Sequence, residues 1–373
     1  ALVAIEASTL HRLLGRNPGS SSRFHHDRSN QLPHEVVIVD ESSMVSLSLM
    51  ARLLEAVRPS ARLVLVGDPR QLASVEAGAV LGDIVGPAAT ATSALAERIV
   101  VLDRVHRFAG GVGEVARAIE AGDADATLDL LANPPDGLRW IPLDDTGPAP
   151  TADGGRLTLD RAALDAATQV RDDVVSVARA VVGAARAGDA DRALAAMTDV
   201  QILCAHRRGP AGVAAWRRTV ERWLTEDIDA YSPHGWFAGR PVLVTANDYS
   251  LDLFNGDAGL AIRAGDLPDG GDRLECAFAR RGGVITVSPS RLRAVETMYA
   301  MTIHKSQGSQ FGHVIVVLPP ADSPILTREL LYTAVTRAER QVTVVGSPAS
   351  ITAAIERPVQ RASGLRRRLW RAD

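Results

Sequence analysis

Lysine is almost missing from this sequence. Of 41 basic residues in 373, all are arginine except Lys305. A phosphate-cradling loop of the Gly-Lys-Ser/Thr kind uses its lysine to reach the β- and γ-phosphates. Lys305 lies in His304-Lys305-Ser306-Gln307-Gly308 without a preceding glycine, so the sequence holds no such loop. Cysteine is nearly as scarce. Cys204 and Cys276 are the full set, which excludes a disulfide scaffold and a cysteine-rich zinc site and points to a reducing, cytoplasmic setting. No apolar run approaches the roughly 20 residues of a membrane span. The opening ALVAIEASTLHRLLG lacks a basic region followed by an apolar block and a cleavage site. A large charge excess is lacking too. With a net charge of -3, any basic site for nucleic acid must be local.

Apolar residues make up 46%, enough for a sizeable core in two or three domains. The chain starts at Ala1 in an already apolar stretch, as the interior of a longer protein would. Short β-branched runs at 36–40 (VVIVD) and 62–67 (RLVLVG) are each followed by polar or Gly/Pro punctuation and a helical pattern, such as 46–57. That alternation predicts a parallel α/β sheet, with a third strand at 98–102. Residues 112–131 read as helical, and 133–157, rich in Pro, Gly and Asp, as an exposed loop. Helices are expected near 160–187, 189–197 and 212–226, with a strand at 200–205. From about 231 the texture changes. Short β runs at 241–245, 259–263, 273–279 and 283–287, separated by Gly-containing turns, predict a small antiparallel barrel or meander. The α/β pattern returns with a strand at 314–318, a helix at 329–338 and a strand at 341–345. The tail is basic.

Several short stretches carry chemistry. Asp40-Glu41 ends the VVIVD run, and in an open α/β sheet ligands bind at the carboxyl ends of strands. An Asp there can hold Mg²⁺ and a neighbouring Glu can polarise an attacking water; a solvated strand end or a helix cap is the plainer alternative. The second run leads into Gly67-Asp68-Pro69-Arg70-Gln71-Leu72, where Gln71 can orient a water or sense a γ-phosphate, or simply close a Gly-Pro turn. Arg107, after the third expected strand, and Arg337, on a late helix, have guanidinium groups suited to phosphate, although among 40 arginines each alone reads as a surface charge and gains weight only from its setting. Met301-Thr302-Ile303-His304-Lys305-Ser306-Gln307-Gly308 packs hydroxyl, imidazole, amine and amide donors into one loop, as phosphodiester contacts require. His304 has no second metal ligand at useful spacing, which rejects zinc.

Taken in order, DESSM, LVGDPRQL, VHRF, MTIHKSQGSQF and LLYTAVTRAERQ resemble motifs II to VI of a superfamily-one helicase. TLHRLLG, CAHRRGPAG, LFNGDAG, TRELLYTAVTRA and RASGL narrow the resemblance to the RecD family, the α subunits of exodeoxyribonuclease V (RecBCD), over most of the chain. The resemblance implies an α/β fold of two RecA-like P-loop motor domains, the first incomplete, with a small SH3-like β-barrel insertion. The boundaries that follow are 1–105 for the partial first motor domain, 106–230 with 291–373 for the second, and 231–290 for the insertion.

The same resemblance implies roles. Asp40 coordinates Mg²⁺, Glu41 activates the attacking water, Gln71 couples the γ-phosphate to domain movement, and Arg107 and Arg337 hold that phosphate. Asp68 and Gly308 belong with the nucleotide. Thr9, His11, Asn255, Thr302, His304, Lys305 and Gln307 belong with DNA. The implied cofactors are ATP and Mg²⁺. The implied partners are single-stranded DNA at duplex ends and RecB-like and RecC-like subunits, with no membrane. The implied activity is ATP-dependent 5′-to-3′ unwinding in double-strand break repair and DNA end processing, with strand cleavage belonging to a partner subunit. The family's Walker A loop belongs ahead of Thr9 and is absent, so this chain reads as a carboxyl-terminal portion with negligible hydrolysis of its own. A non-catalytic DNA-binding or scaffolding subunit and a stand-alone RecD-like helicase are the alternatives.

Overall fold

The structure is a computed structural model. It describes residues 7–15, 24–73, 79–86, 94–102, 110–143, 152–153, 156–157, 161–228, 231–232, 235–267, 271–280, 282–359 and 364–370, with side chains in 161–169 described only at Thr168. The chain divides into two units, one of residues 1–104 with 359–373, the other of 105–358.

In the first unit, helix α1 (Leu10–Leu14) precedes strand β1 (Val36–Val39), helix α2 (Leu47–Ala56), strand β2 (Arg62–Leu65) and helix α3 (Val80–Val85). β1 and β2 pair in parallel, Val36 opposite Arg62 and Val39 opposite Leu65. Parallel neighbours need a crossover, and α2 supplies it. Ser46 starts that helix by accepting the Leu49 N–H at 3.3 Å, and Met50, Leu53 and Ala56 recur at helical spacing on its buried face. They meet Val37 and Val39, while Val36 and Ile38 on the opposite pleat are 54% and 61% exposed.

The expected third strand at 98–102 does not form. Ala96–Arg98 is a 3-10 turn, and Val100 and Leu102 beyond it are 81% and 87% exposed. The β-branched run lacks a hydrogen-bonding neighbour among the described residues, and without a ladder its side chains have no sheet face to pack on. The chain's last stretch also departs from the expected boundaries. Its short helix Leu365–Leu369 groups with the first unit instead of the second.

The second unit opens with α4 (Gly110–Ala121) and α5 (Ala124–Ala132), where one helical stretch was expected. Gly122 at φ +74° stops the first helix and Asp123 caps the second by accepting the Ala126 N–H at 2.9 Å. Strand β3 (Leu138–Pro142) follows within the stretch read as an exposed loop. Its closing proline costs nothing there, because β3 is an edge strand. A two-residue hairpin, β4 (Ala152–Asp153) with β5 (Arg156–Leu157), precedes α6 (Arg161–Arg186), α7 (Ala190–Met197), β6 (Val200–Cys204) and α8 (Val213–Asp227).

Next come β7 (Pro241–Val244), β8 (Ala258–Asp266), β9 (Asp272–Arg280), β10 (Gly283–Val287) and β11 (Val295–Thr297). They form one antiparallel sheet in the order β10-β9-β8-β7-β11. This is the expected meander, plus a fifth strand beyond the expected limit of 290. Phe278, Leu253, Cys276 and Val242 fill its own small core. The α/β pattern resumes with β12 (Ala300–Thr302), β13 (Phe311–Val317), α9 (Arg328–Val335), β14 (Ala338–Gly346) and α10 (Pro348–Glu356).

The main sheet of this unit is wholly parallel, in the order β12-β6-β13-β14-β3. All seven residues of the central strand β13 are buried. The sequence FGHVIVV accordingly shows no polar alternation, as a strand covered on both faces should not. Ile315, Val317, Ile202 and Val345 pack with Val174 of α6 and Leu224 of α8, while α9 and α4 lie on β13 and β14.

His313 interrupts that apolar run and is 6% exposed. Its Nε2 lies 2.8 Å from the Thr343 hydroxyl, which also accepts from Arg139 Nε at 3.0 Å. Arg139 pairs with Asp173 of α6, whose carboxylate is 3.9 Å from His313 Nδ1. Burial pushes the His313 pKa down to about 4; the pull of Asp173 opposes this, and Arg139 and Arg340 add to it. Native His313 is therefore neutral where the unfolded chain, titrating near 6.5, takes up a proton. Stability of the second unit should be full above pH 6.5 and fall by up to about 3 kcal/mol as pH drops toward 4. Urea unfolding between pH 7.5 and 4.5 checks this, and His313→Asn should flatten the slope.

Candidate nucleotide and nucleic-acid site

Parallel pairing of β1 and β2 sets their carboxyl ends side by side. The ladder continues past both strands, with the Val66 N–H donating to Val39 O at 2.8 Å and the Ser42 N–H to Val66 O at 2.9 Å. The turn after Asp40-Glu41 thus abuts the start of the Gly67–Gln71 loop. Asp40 is exposed, and its Oδ1 accepts the Glu41 N–H at 2.8 Å. Glu41 sits at φ 50°, ψ 40°, a left-handed conformation rare for a side chain of this size. It is held there by the 3-10 turn Ser42–Met44, whose Met44 N–H bonds Glu41 O at 3.0 Å. Strain of this kind costs about 1–3 kcal/mol and gathers where a side chain must be aimed.

Gly67 is required by a close approach. A Cβ on it would lie 2.9 Å from Leu81 Cδ2, 3.0 Å from Ser42 N and 3.2 Å from Ser43 N. Beyond it, Asp68 organises the turn. Its Oδ1 accepts the Arg70 N–H at 2.9 Å and its Oδ2 the Gln71 Nε2–H at 3.3 Å. Gln71 is 8% exposed, so the loop holds its amide in place. Ser43 Oγ is buried without a hydrogen-bond partner, two residues from Glu41. Asp40 and Ser43 offer oxygen donors alone, which suits a hard ion such as Mg²⁺, bound through one or two carboxylates with phosphate and water completing its shell. Among the described residues, no group of three His, Cys, Asp or Glu could hold a metal by itself.

Thr9 and His11 lie elsewhere in the first unit. Thr9 Oγ1 caps α1 by accepting the Arg12 N–H at 3.3 Å, and the His11 ring stands 5.9 Å from Phe24. Both are exposed. Arg107 lies outside the described residues.

In the second unit Thr302, His304, Lys305, Gln307 and Gly308 form one run at the carboxyl end of the edge strand β12. Thr302 is buried and caps the turn Ile303–Ser306 through the Lys305 N–H at 3.3 Å. Gly308 turns the chain at φ +79°. Lys305 Nζ pairs with Glu296 of β11. Arg337 lies past the end of α9 instead of on a helix, because that helix stops at Val335. It is 2% exposed, and its guanidinium donates to Thr333 O at 3.2 Å and Ser309 O at 3.3 Å. It thereby braces the turn after Gly308. Asn255 stands apart in the β7–β8 loop, its N–H bonded to Asn247 Oδ1 at 2.8 Å.

Sequence reasoning used His206-Arg207-Arg208 within CAHRRGPAG for the resemblance but gave them no role; they follow the inner strand β6 at the same sheet edge as Thr302. Thr302 and Cys204 are paired across the ladder. Arg207 and Arg208 are exposed, and His206 Nε2 lies 2.9 Å from Ser323 Oγ. The signal was available: the polar run follows the strand at 200–205 as Asp40-Glu41 follows VVIVD.

Comparison with known proteins matches an AAA domain over residues 2–136 and a UvrD-like helicase C-terminal domain over residues 297–345. The RecBCD enzyme subunit RecD of Mycolicibacterium smegmatis is 50% identical over 369 residues, covering 99% of this chain and 60% of that protein. The ATP-dependent RecD2 DNA helicase of Deinococcus radiodurans is 31% identical, covering 97% of this chain and 43% of that protein. The chain thus spans less than two thirds of either relative. A Pif1 helicase from Bacteroides, solved with ADP-AlF3 and single-stranded DNA, aligns at a TM-score of 0.44 and 15% identity over 90% of this chain and 78% of that one.

Two substitutions test the local geometry. Gly67→Ala should cost about 1–3 kcal/mol, since neither the Leu81 side chain nor the turn backbone can retreat freely. Glu41→Gly, which removes the left-handed strain, should leave stability unchanged or raise it by up to about 1 kcal/mol. Thermal unfolding of the two variants beside the parent chain reads both.

Proposed function

The chain belongs to the RecD family, and from that membership we propose that it forms the motor portion of an ATP-dependent DNA helicase subunit in a RecBCD-type helicase–nuclease. One observation carries the reading: Asp40-Glu41 and Asp68–Gln71 stand at adjoining carboxyl ends of parallel strands, in a chain half identical to a RecD subunit. In this reading the two units are RecA-like motor domains and the five-stranded antiparallel sheet is an SH3-like insertion.

Asp40 would hold Mg²⁺, which when bound offsets negative charge on the β- and γ-phosphates. The Glu41 carboxylate orients a water and accepts its proton. Gln71, clamped by Asp68, registers whether the γ-phosphate is present. Arg107 and Arg337 hold that phosphate, a role worth about 10³–10⁵ in rate where arginine fingers are known. Thr302, His304, Lys305 and Gln307 grip the phosphodiester backbone of single-stranded DNA, with Thr9, His11 and Asn255 as further contacts. Movement runs 5′ to 3′ along the strand, at duplex ends generated by double-strand breaks, beside RecB-like and RecC-like subunits. No helix among the described residues is long and apolar enough to cross a membrane.

The sequence contains no Gly-Lys-Ser/Thr. The chain by itself therefore has no lysine to place on the β- and γ-phosphates, and hydrolysis needs a form that carries such a loop ahead of residue 9.

The Lys305–Glu296 pair gives the DNA proposal a sharp test. A phosphate must compete with Glu296 for the ammonium group. Lys305→Ala should weaken single-stranded DNA binding about tenfold and lower the log–log salt slope by about 0.7, the increment for one phosphate. Glu296→Gln should tighten binding a few-fold. Fluorescence anisotropy with a labelled oligonucleotide across 50–300 mM salt measures both, and a salt-insensitive interaction would contradict contact with the phosphodiester backbone.

A further inference from the structure

The end of the chain reaches back to the first unit and meets α3, the short helix that follows the Gln71 loop. α3 has six residues, and Ala79 gives it no side-chain cap. A helix of that length is not stable by itself and takes its place from what packs on it. One side faces the loop. Leu81 lies against Gly67, and Gly82 lies under the Pro69 carbonyl, with room for a Cβ 3.7 Å from that oxygen. Val80 and Leu81 are 1% and 6% exposed.

The other end of α3 is closed by the tail. The last carbonyls of a helix have no partner within it. Here the Gly86 N–H turns back to Gly82 O at 2.9 Å, and Asp83 O accepts the Trp370 indole N–H at 3.0 Å across 287 positions of sequence. The indole covers Gly86 so closely that any Cβ there would run into the ring. Leu365, at the start of the tail helix, packs against the core of the same unit. The polypeptide therefore leaves the first unit after residue 104 and returns to it at residue 359.

We infer that Trp370 is a positioning residue for the Gly67–Gln71 loop, acting through α3. The tail caps the helix, and the helix forms the floor on which the loop rests. Its consequence for nucleotide sensing rests on the proposed role of Gln71, but the positioning is read without any nucleotide, so the two can fail separately.

Hydrogen exchange followed by mass spectrometry on the full chain tests it. Trp370→Ala should speed exchange about tenfold at amides of both 67–72 and 80–86, the effect of losing one well-placed hydrogen bond and its packing. Peptides from β1, α2 and the second unit should stay within about twofold of the parent. Faster exchange at 80–86 alone would overturn the link to the loop. A uniform rise through β1 and α2 would make Trp370 ordinary core filling and also overturn it, as would no change. Should Trp370→Ala fail to fold, Trp370→Phe keeps an aromatic six-membered ring and loses the N–H with the five-membered ring that carries it. It should then show a smaller rise, about threefold, in the same two segments.

Discussion

Parallel strand pairing is the constraint from which the rest follows. Strands that run the same way put every carboxyl end at one edge, and the residues that leave those ends are neighbours however far apart they lie in sequence. In the first unit this brings Asp40-Glu41 to Gly67–Gln71. In the second it lines up the exits of β12, β6, β13 and β14, and so the Thr302–Gly308 run with His206-Arg207-Arg208. The crossovers that permit this pairing are helices, and they bury both faces of the larger sheet. The chemistry is thereby left to loops on a stiff frame, where a turn such as that of Asp68 can fix an amide.

The frame pays for its polar exceptions locally. His313 lies within the most apolar strand because Thr343 meets its Nε2 and Asp173 faces its Nδ1, both partners being held in turn by Arg139. Arg337, also buried, is met by main-chain carbonyls. Glu41 holds a backbone conformation that its side chain resists, and one ladder bond, one turn bond and the Asp40 carboxylate around it keep it there. Each exception is satisfied by named partners, which is the condition for a polar group to persist in a packed interior.

Much of this was legible in the sequence, for physical reasons. VVIVD, RLVLVG and FGHVIVV are dense in β-branched residues and bounded by turn formers, so their strands and the parallel sheet could be read directly. The meander announced itself through Asn255-Gly256 and Gly282-Gly283. Other features depend on tertiary partners that local pattern does not encode. β3 looked like loop because it ends in a proline, which a sheet tolerates at its edge, and lies among Pro, Gly and Asp. Residues 98–102 looked like strand, but β propensity without a neighbouring ladder forms none. The end of α9 at Val335 moved Arg337 off the helix and into a carbonyl cradle. The return of Trp370 to Asp83 left no sequence signal, since a contact across so long a separation has no period. The local fit of the Asp40–Glu41 and Asp68–Gln71 runs was visible as motif order; their contact needed the strand register.

The central claim is that the β1–β2 edge is the hydrolytic half of a nucleotide site. The measurement that tests it most directly is DNA-stimulated ATPase on a form carrying a Gly-Lys-Ser/Thr loop ahead of residue 9, with nucleotide affinity determined alongside. The account predicts that Glu41→Gln keeps nucleotide affinity within a few-fold while hydrolysis falls about 10²–10⁴-fold, the usual weight of a positioned general base. Hydrolysis that survives Glu41→Gln, or a form with the loop restored that binds DNA but never turns over ATP, would contradict it.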